Sequence, residues 1–236
     1  MKESKCEREA GPKHPYIVVM GVTAAGKTTF AEFLAGRING KFFPELPVED
    51  NPFFKNYYGN PDDYFPVQIF FLDANWRQIM GSKELKTPGI KEILVKEPVV
   101  QEPGIFEEAL YAQARLEEDS VQWGRYQSYY NGLTNVKSFV KPDLTVFLHL
   151  RLPVMLDRIK RRATDNPERA SELKESEAYW ERLRWLHENW VKENPLGLKI
   201  ITLDMDRFNF SSYNSDGEAL EAAYQELKNR SGGLIK

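Results

Sequence analysis

Cysteine and histidine are scarce in this chain, with one cysteine (Cys6) and three histidines among 236 residues. A lone cysteine cannot close an internal disulfide, which excludes a stapled secreted scaffold and points to a reducing compartment. His14, His149 and His187 are scattered, so no metal-ligand spacing exists. No apolar run approaches the roughly 20 residues that span a bilayer. The opening MKESKCEREAGPKHP mixes both charges and lacks the apolar stretch of a signal peptide. A basic excess is missing as well. The 32 Lys+Arg stand against 35 Asp+Glu, a net charge of −3, which argues against a dedicated nucleic-acid binder. These absences leave a cytoplasmic globular protein as the expectation, and shares of 42% apolar and 28% charged residues suit that class. Repeats, linkers and low-complexity blocks are absent, so the expectation is one domain over 16–236 behind a loose, charged tail at 1–15.

The patterning that is present alternates between strand and helix. Tyr16-Ile17-Val18-Val19-Met20 runs into Gly21 and reads as a short buried strand. Residues 28–38 carry Phe30, Phe33, Leu34 and Ile38 at helical spacing. A short strand and an ordered loop are expected over 41–63, and a largely buried helix over 64–80. Further strands are expected at 98–100, 144–148 and 198–203. Helices are expected at 105–118, 121–131, 153–162, around Tyr179 to Trp190, and at 217–230. Strands alternating with helices imply a parallel sheet covered on both faces, an α/β fold of three layers.

Gly21-Val22-Thr23-Ala24-Ala25-Gly26-Lys27-Thr28 fits G-x-x-x-x-G-K-[ST], with Thr29 following. Glycines let the backbone curl so that successive N–H groups point at phosphate oxygens, and the following helix adds its positive end. Lys27 neutralises the outer phosphates in such a loop, and Thr28 ligates magnesium. A chance match in a chain of this length is on the order of one per cent, and the motif lies between an expected strand and an expected helix. ATP with Mg2+ is the expected cofactor pair.

Other stretches extend the pattern. Glu45-Leu46-Pro47-Val48-Glu49-Asp50-Asn51-Pro52 precedes Tyr58-Gly59-Asn60-Pro61 and Gln68-Ile69-Phe70-Phe71-Leu72. Later come Lys141-Pro142-Asp143-Leu144-Thr145-Val146-Phe147-Leu148, Arg158-Ile159-Lys160-Arg161-Arg162 and Leu203-Asp204-Met205-Asp206. With the phosphate loop, these resemble the deoxynucleoside kinase family, in particular its deoxyadenosine/deoxyguanosine kinase branch, over residues 16–210.

The resemblance implies a P-loop kinase fold with about five parallel strands and a lid over about 158–177. It also implies ATP-dependent phosphorylation of a deoxynucleoside 5′-hydroxyl in nucleotide salvage, by a homodimer. Carried over by position, Glu45 resembles the carboxylate that takes the hydroxyl proton, with Glu49 as its rival. Tyr58 resembles the tyrosine on the sugar 3′-hydroxyl, Gln68 the glutamine that reads the base edge, and Glu107 a further substrate-binding residue. Arg158 and Arg162 resemble the lid arginines that neutralise the transferring phosphoryl group. Glu102, at a strand end, is a candidate magnesium or phosphate residue beside the plainer reading of a solvated carboxylate.

Three departures stand out. The acidic turn Glu-Leu-Pro-Val is one residue longer than the family's. Gln101-Glu102-Pro103 stands where the family carries an acidic residue, an arginine and a serine. Thr164 occupies the place of a third lid arginine. A monophosphate kinase of the thymidylate type is a second reading, disfavoured because residues 41–75 contain only Lys41 and Lys55 as cations. A nucleotide-binding subunit without catalysis is the third, and the intact Lys27-Thr28 pair weighs against it.

Overall fold

The computed structural model describes residues 14–82, 86–136, 139–208 and 217–235, and residues 1–13 of the expected tail lie outside them. Five strands form the sheet: β1 (Tyr16–Gly21), β2 (Lys41–Phe43), β3 (Val99–Gln101), β4 (Leu144–His149) and β5 (Ile200–Asp204). All pairings are parallel, in the order β2-β3-β1-β4-β5. The helices are α1 (Lys27–Arg37), α2 (Tyr64–Met80), α3 (Ile90–Ile93), α4 (Ile105–Leu116), α5 (Ser120–Thr134), α6 (Leu152–Asp165), α7 (Glu177–Glu193) and α8 (Glu218–Arg230). Short 3₁₀ turns occupy Val48–Asp50, Phe54–Asn56 and Pro61–Asp63, and a longer one Pro167–Lys174.

β1 is buried along its whole length because it is central and covered on both faces. Its side chains alternate between two cores. Ile17 and Val19 pack with Phe30, Leu34 and Val146, whereas Val18 and Met20 pack with Leu72, Ile79 and Phe106. Burial of each such aliphatic or aromatic side chain stabilises the fold by about 1.5 to 3 kcal/mol. The expected three layers are present.

Element ends differ from the patterning where local hydrogen bonds decide them. The last strand begins at Ile200 rather than Leu198, because the Asn194 side chain takes both backbone groups of Leu198 at 2.8 Å. α5 begins at Ser120, since the Asp119 carboxylate accepts from the Val121 and Gln122 N–H groups and caps it. α3 and the 3₁₀ segment at Pro167–Lys174 are additions that periodicity does not reveal. The carboxyl ends of β1, β2 and β3 lead directly into Val22, Pro44 and Glu102, which gathers the candidate residues at one edge of the sheet.

Candidate active site

The phosphate loop follows β1. Gly21 has φ 156° and no room for a side chain, since a Cβ there meets the Leu148 carbonyl oxygen at 2.7 Å. Gly26, at φ 91°, occupies the left-handed region at the N-cap of α1. No side chain caps α1 and no acid stands in its first turn, so its free N–H groups are available to an anion. Ala24, Ala25, Gly26, Lys27, Thr28 and Thr29 line a cleft of about 590 Å³.

Lys27 Nζ donates to the Gly21 carbonyl at 2.7 Å and lies 3.4 Å from both Glu107 Oε1 and the Tyr111 hydroxyl. Burial opposes its charge, but Tyr111, Glu107, Glu102 and Glu45 outweigh burial and hold its pKa above the ordinary value. Glu107 is wholly buried behind the loop and does not line the cleft. It accepts from the Gly21 N–H at 3.1 Å and faces His187 Nε2 at 3.4 Å. Its expected contact with substrate is therefore corrected. Glu107 anchors the loop and its lysine.

Glu102 is 2% exposed, and its Oε1 accepts from Thr28 Oγ1 at 2.6 Å. Burial pushes its carboxyl up, against Lys27 and Thr28, which hold it down. Its Oε2 is buried and has no hydrogen-bond partner among the described residues. A hydroxyl and a half-paired carboxylate beside a phosphate loop are hard oxygen donors of the kind magnesium takes when phosphates complete its shell. Among the described residues no cluster of three or more His, Cys, Asp or Glu forms a metal cage.

Glu45 follows β2, where Gln78 Nε2 pins the preceding Pro44 carbonyl at 2.8 Å. Water reaches Glu45 from the open side of the cleft. The cleft walls nevertheless strip much of its hydration, and with Glu102 nearby its carboxyl is pushed up to about 7. Lys27 and Arg169 act in the opposite sense. Glu49 falls in the 3₁₀ turn Val48–Asp50, with its side chain outside what the structure describes. Glu108, one residue past Glu107, does line the cleft. Burial, then Glu45 and Glu107, push its carboxyl well up, and Asn75 Nδ2 donates to it at 3.2 Å.

The other part of the cleft is an aromatic slot lined by Phe54, Tyr57, Tyr58, Phe71, Tyr179 and Trp180. Gln68 enters it from α2. It is 3% exposed, its Nε2 donates to the Tyr57 hydroxyl at 2.8 Å, and its Oε1 is buried without a partner among the described residues. A polar side chain left half-satisfied in such a slot has capacity for a further partner. Tyr58 lies beside Glu172: burial, then that carboxylate, raises its pKa well above the usual value.

The helix expected to open the lid is α6. Arg158 donates to the Met205 and Phe208 carbonyls at 2.8 and 2.9 Å and reaches the Ala24 carbonyl at 3.4 Å. It thereby ties the phosphate loop to the segment after β5. Arg162 Nη2 donates to Glu172 Oε2 at 2.5 Å, and Arg169 Nη1 to Glu172 Oε1 at 3.4 Å. Thr164, Arg169 and Glu172 all line the cleft. Arg169, five residues past Thr164 along a polar segment without periodicity, brings a further cation to the cleft lining. Sequence reasoning missed Arg169, Glu172 and Glu108. Only Glu108 leaves a signal, as an acid inside the apolar run of α4.

A phosphate-loop motif closing β1 of a 2-3-1-4-5-type parallel sheet, opening onto an aromatic-lined slot, places this chain among P-loop kinases of small molecules. The chain belongs to the deoxynucleoside kinase family, whose model matches residues 17–228. It is 26% identical to deoxyguanosine kinase of Bacillus subtilis over 217 residues, covering 90% of this chain and 97% of that protein. It is 28% identical to deoxyadenosine/deoxycytidine kinase of the same organism over 186 residues, covering 76% and 78%. In fold it matches deoxyadenosine kinase from M. mycoides with bound dATP, at a TM-score of 0.69 and 24% identity over 91% of this chain and 100% of that one.

Proposed function

We propose that this chain transfers the γ-phosphoryl group of ATP to the 5′-hydroxyl of a deoxynucleoside. The observation that carries the reading is the continuity of the cleft, which joins the phosphate loop to the aromatic slot with Glu45 close enough to feel both Glu102 and Lys27. In this reading the triphosphate rests on the N-terminus of α1 and on Lys27, and the base lies in the slot with its edge toward Gln68. Tyr58, with Glu172 beside it, takes the sugar 3′-hydroxyl. Glu45 accepts the 5′-hydroxyl proton as the 5′-oxygen forms its bond to the γ-phosphorus and the bond to the ADP oxygen breaks. Thr28 and Glu102 would hold magnesium, whose charge offsets that of the phosphates. Arg158, Arg162 and Arg169 supply the remaining positive charge. With little covalent work for the protein to do, catalysis rests on positioning and neutralisation.

The family resemblance extends the reading to a cytoplasmic homodimer in nucleotide salvage with a lid over about 158–177. Among the described residues no helix is long and apolar enough to cross a membrane. A monophosphate acceptor is less well served, because neither Lys41 nor Lys55 lines the cleft. The test is transfer from γ-labelled ATP to each of the four deoxynucleosides and their monophosphates. Label in a deoxynucleoside 5′-monophosphate is the expected result. Label only in diphosphates supports the monophosphate-kinase reading, and binding of ATP without transfer supports a nucleotide-binding subunit.

Two smaller effects follow. Glu102→Gln raises the magnesium concentration needed for half-maximal rate, and excess magnesium partly restores turnover. An unchanged magnesium titration would remove Glu102 from the metal site. Gln68→Ala raises KM for the preferred deoxynucleoside more than it lowers kcat, because a contact remote from the reacting oxygen acts alike on ground and transition states. Wild-type KM and base preference in that variant would make Gln68 a packing residue.

A further inference from the structure

The base end of the cleft is backed by a buried cation that phosphoryl transfer does not use. Arg115, in the last turn of α4, has a side chain 4% exposed and forms an ion pair of 2.8 Å with Glu175, itself 9% exposed. Its guanidinium carbon lies 3.6 Å from the Tyr179 ring centroid, 4.8 Å from that of Tyr64 and 4.9 Å from that of Tyr57. Its Nε donates to the Tyr57 hydroxyl at 3.0 Å. The same oxygen accepts from Gln68 Nε2 at 2.8 Å, which leaves Gln68 Oε1 as the buried end without a partner among the described residues.

We propose that Arg115 is a positioning residue for base recognition, holding the Gln68 amide through the Tyr57 hydroxyl so that Oε1 faces the base edge. This rests on the reading above, in which Gln68 meets the base. The terminal torsion of a glutamine is broad, and its amide has two ends of nearly equal shape, so its direction must come from partners. Two donors converge on the Tyr57 oxygen, and one of them is charged, which makes the stronger bond. With the Tyr57 oxygen accepting from both, Gln68 turns its N–H toward Tyr57, and its carbonyl is the end left to meet a base. The carbonyl so presented suits a base edge that offers an N–H.

Tyr57→Phe removes only the shared oxygen and keeps both the ring stack and the Arg115–Glu175 pair. It should raise KM for the preferred deoxynucleoside roughly tenfold, the order of one lost hydrogen bond to a charged network, with KM for ATP unchanged. Arg115→Lys keeps a charge against Glu175 but has no Nε–H and should behave as Tyr57→Phe does. The double variant should be no worse than either single one, because both break the same link. Thermal melting of each variant separates misfolding from mispositioning, and Tyr57→Phe alone decides the matter if the Arg115 variant does not fold. Unchanged KM and base preference in Tyr57→Phe, in an active enzyme, overturns this inference and leaves the kinase reading standing. A wild type that phosphorylates no deoxynucleoside overturns both.

Discussion

Replacing Glu45 with glutamine lowers kcat by about 10² to 10⁴, the usual span for loss of a general base. The amide keeps the shape and hydrogen-bonding reach of the carboxylate but has no site for the proton. Affinity for ATP stays near wild type, because the groups that hold the triphosphate are those of the loop and α1. The pairing of effects is diagnostic: a merely structural Glu45 would disturb KM and melting temperature alongside turnover. Steady-state kinetics with both substrates varied gives the separation. Normal turnover in Glu45→Gln would move the base to Glu49 or Glu102.

Lys27→Ala abolishes most of the stabilisation that ATP and magnesium confer. A ligand that binds only the native state adds about 2.7 kcal/mol at a hundredfold excess over Kd. For a chain of this size that corresponds to a rise in Tm of roughly 5 to 10 °C. The alanine variant loses the cation placed 3.4 Å from the buried Glu107 Oε1, so its nucleotide-free form also melts lower. The relevant comparison is each protein against its own nucleotide-free form. A full thermal shift in Lys27→Ala would sink the assignment of the phosphate loop, and a wild type that responds to no nucleoside triphosphate would do so more simply.

The parts of this molecule legible in its sequence are those whose chemistry is contiguous or periodic. The phosphate loop is readable because its backbone must curl within eight residues, and α2 because its dense apolar pattern sets off the polar Gln68 within it. Where function depends on which way a side chain points, the letters are silent. Glu107 and Glu108 are neighbours in sequence, yet adjacent residues on a helix point about 100° apart. One therefore holds the loop from behind while the other lines the cleft. Arg115 reads as an ordinary solvated residue near a helix end, and only the packing of Tyr57, Tyr64 and Tyr179 around it reveals a buried ion pair. Arg169 and Glu172 lie in a polar segment with no period, so their convergence with Arg162 is a property of the fold alone.

The most direct test of the account is the pH dependence of kcat/KM for the deoxynucleoside, measured for the wild type and for Glu45→Gln. The Glu45 carboxyl is pushed up to about 7, first by lost hydration and then by Glu102. Below that pH it is protonated and cannot accept the 5′-hydroxyl proton, so the rate should fall on the acid side with a midpoint near 7 and level off above it. In Glu45→Gln the residual rate should lose that step. A wild-type profile that stays flat through pH 7, or a step that survives in Glu45→Gln, would contradict the assignment of Glu45 as the base.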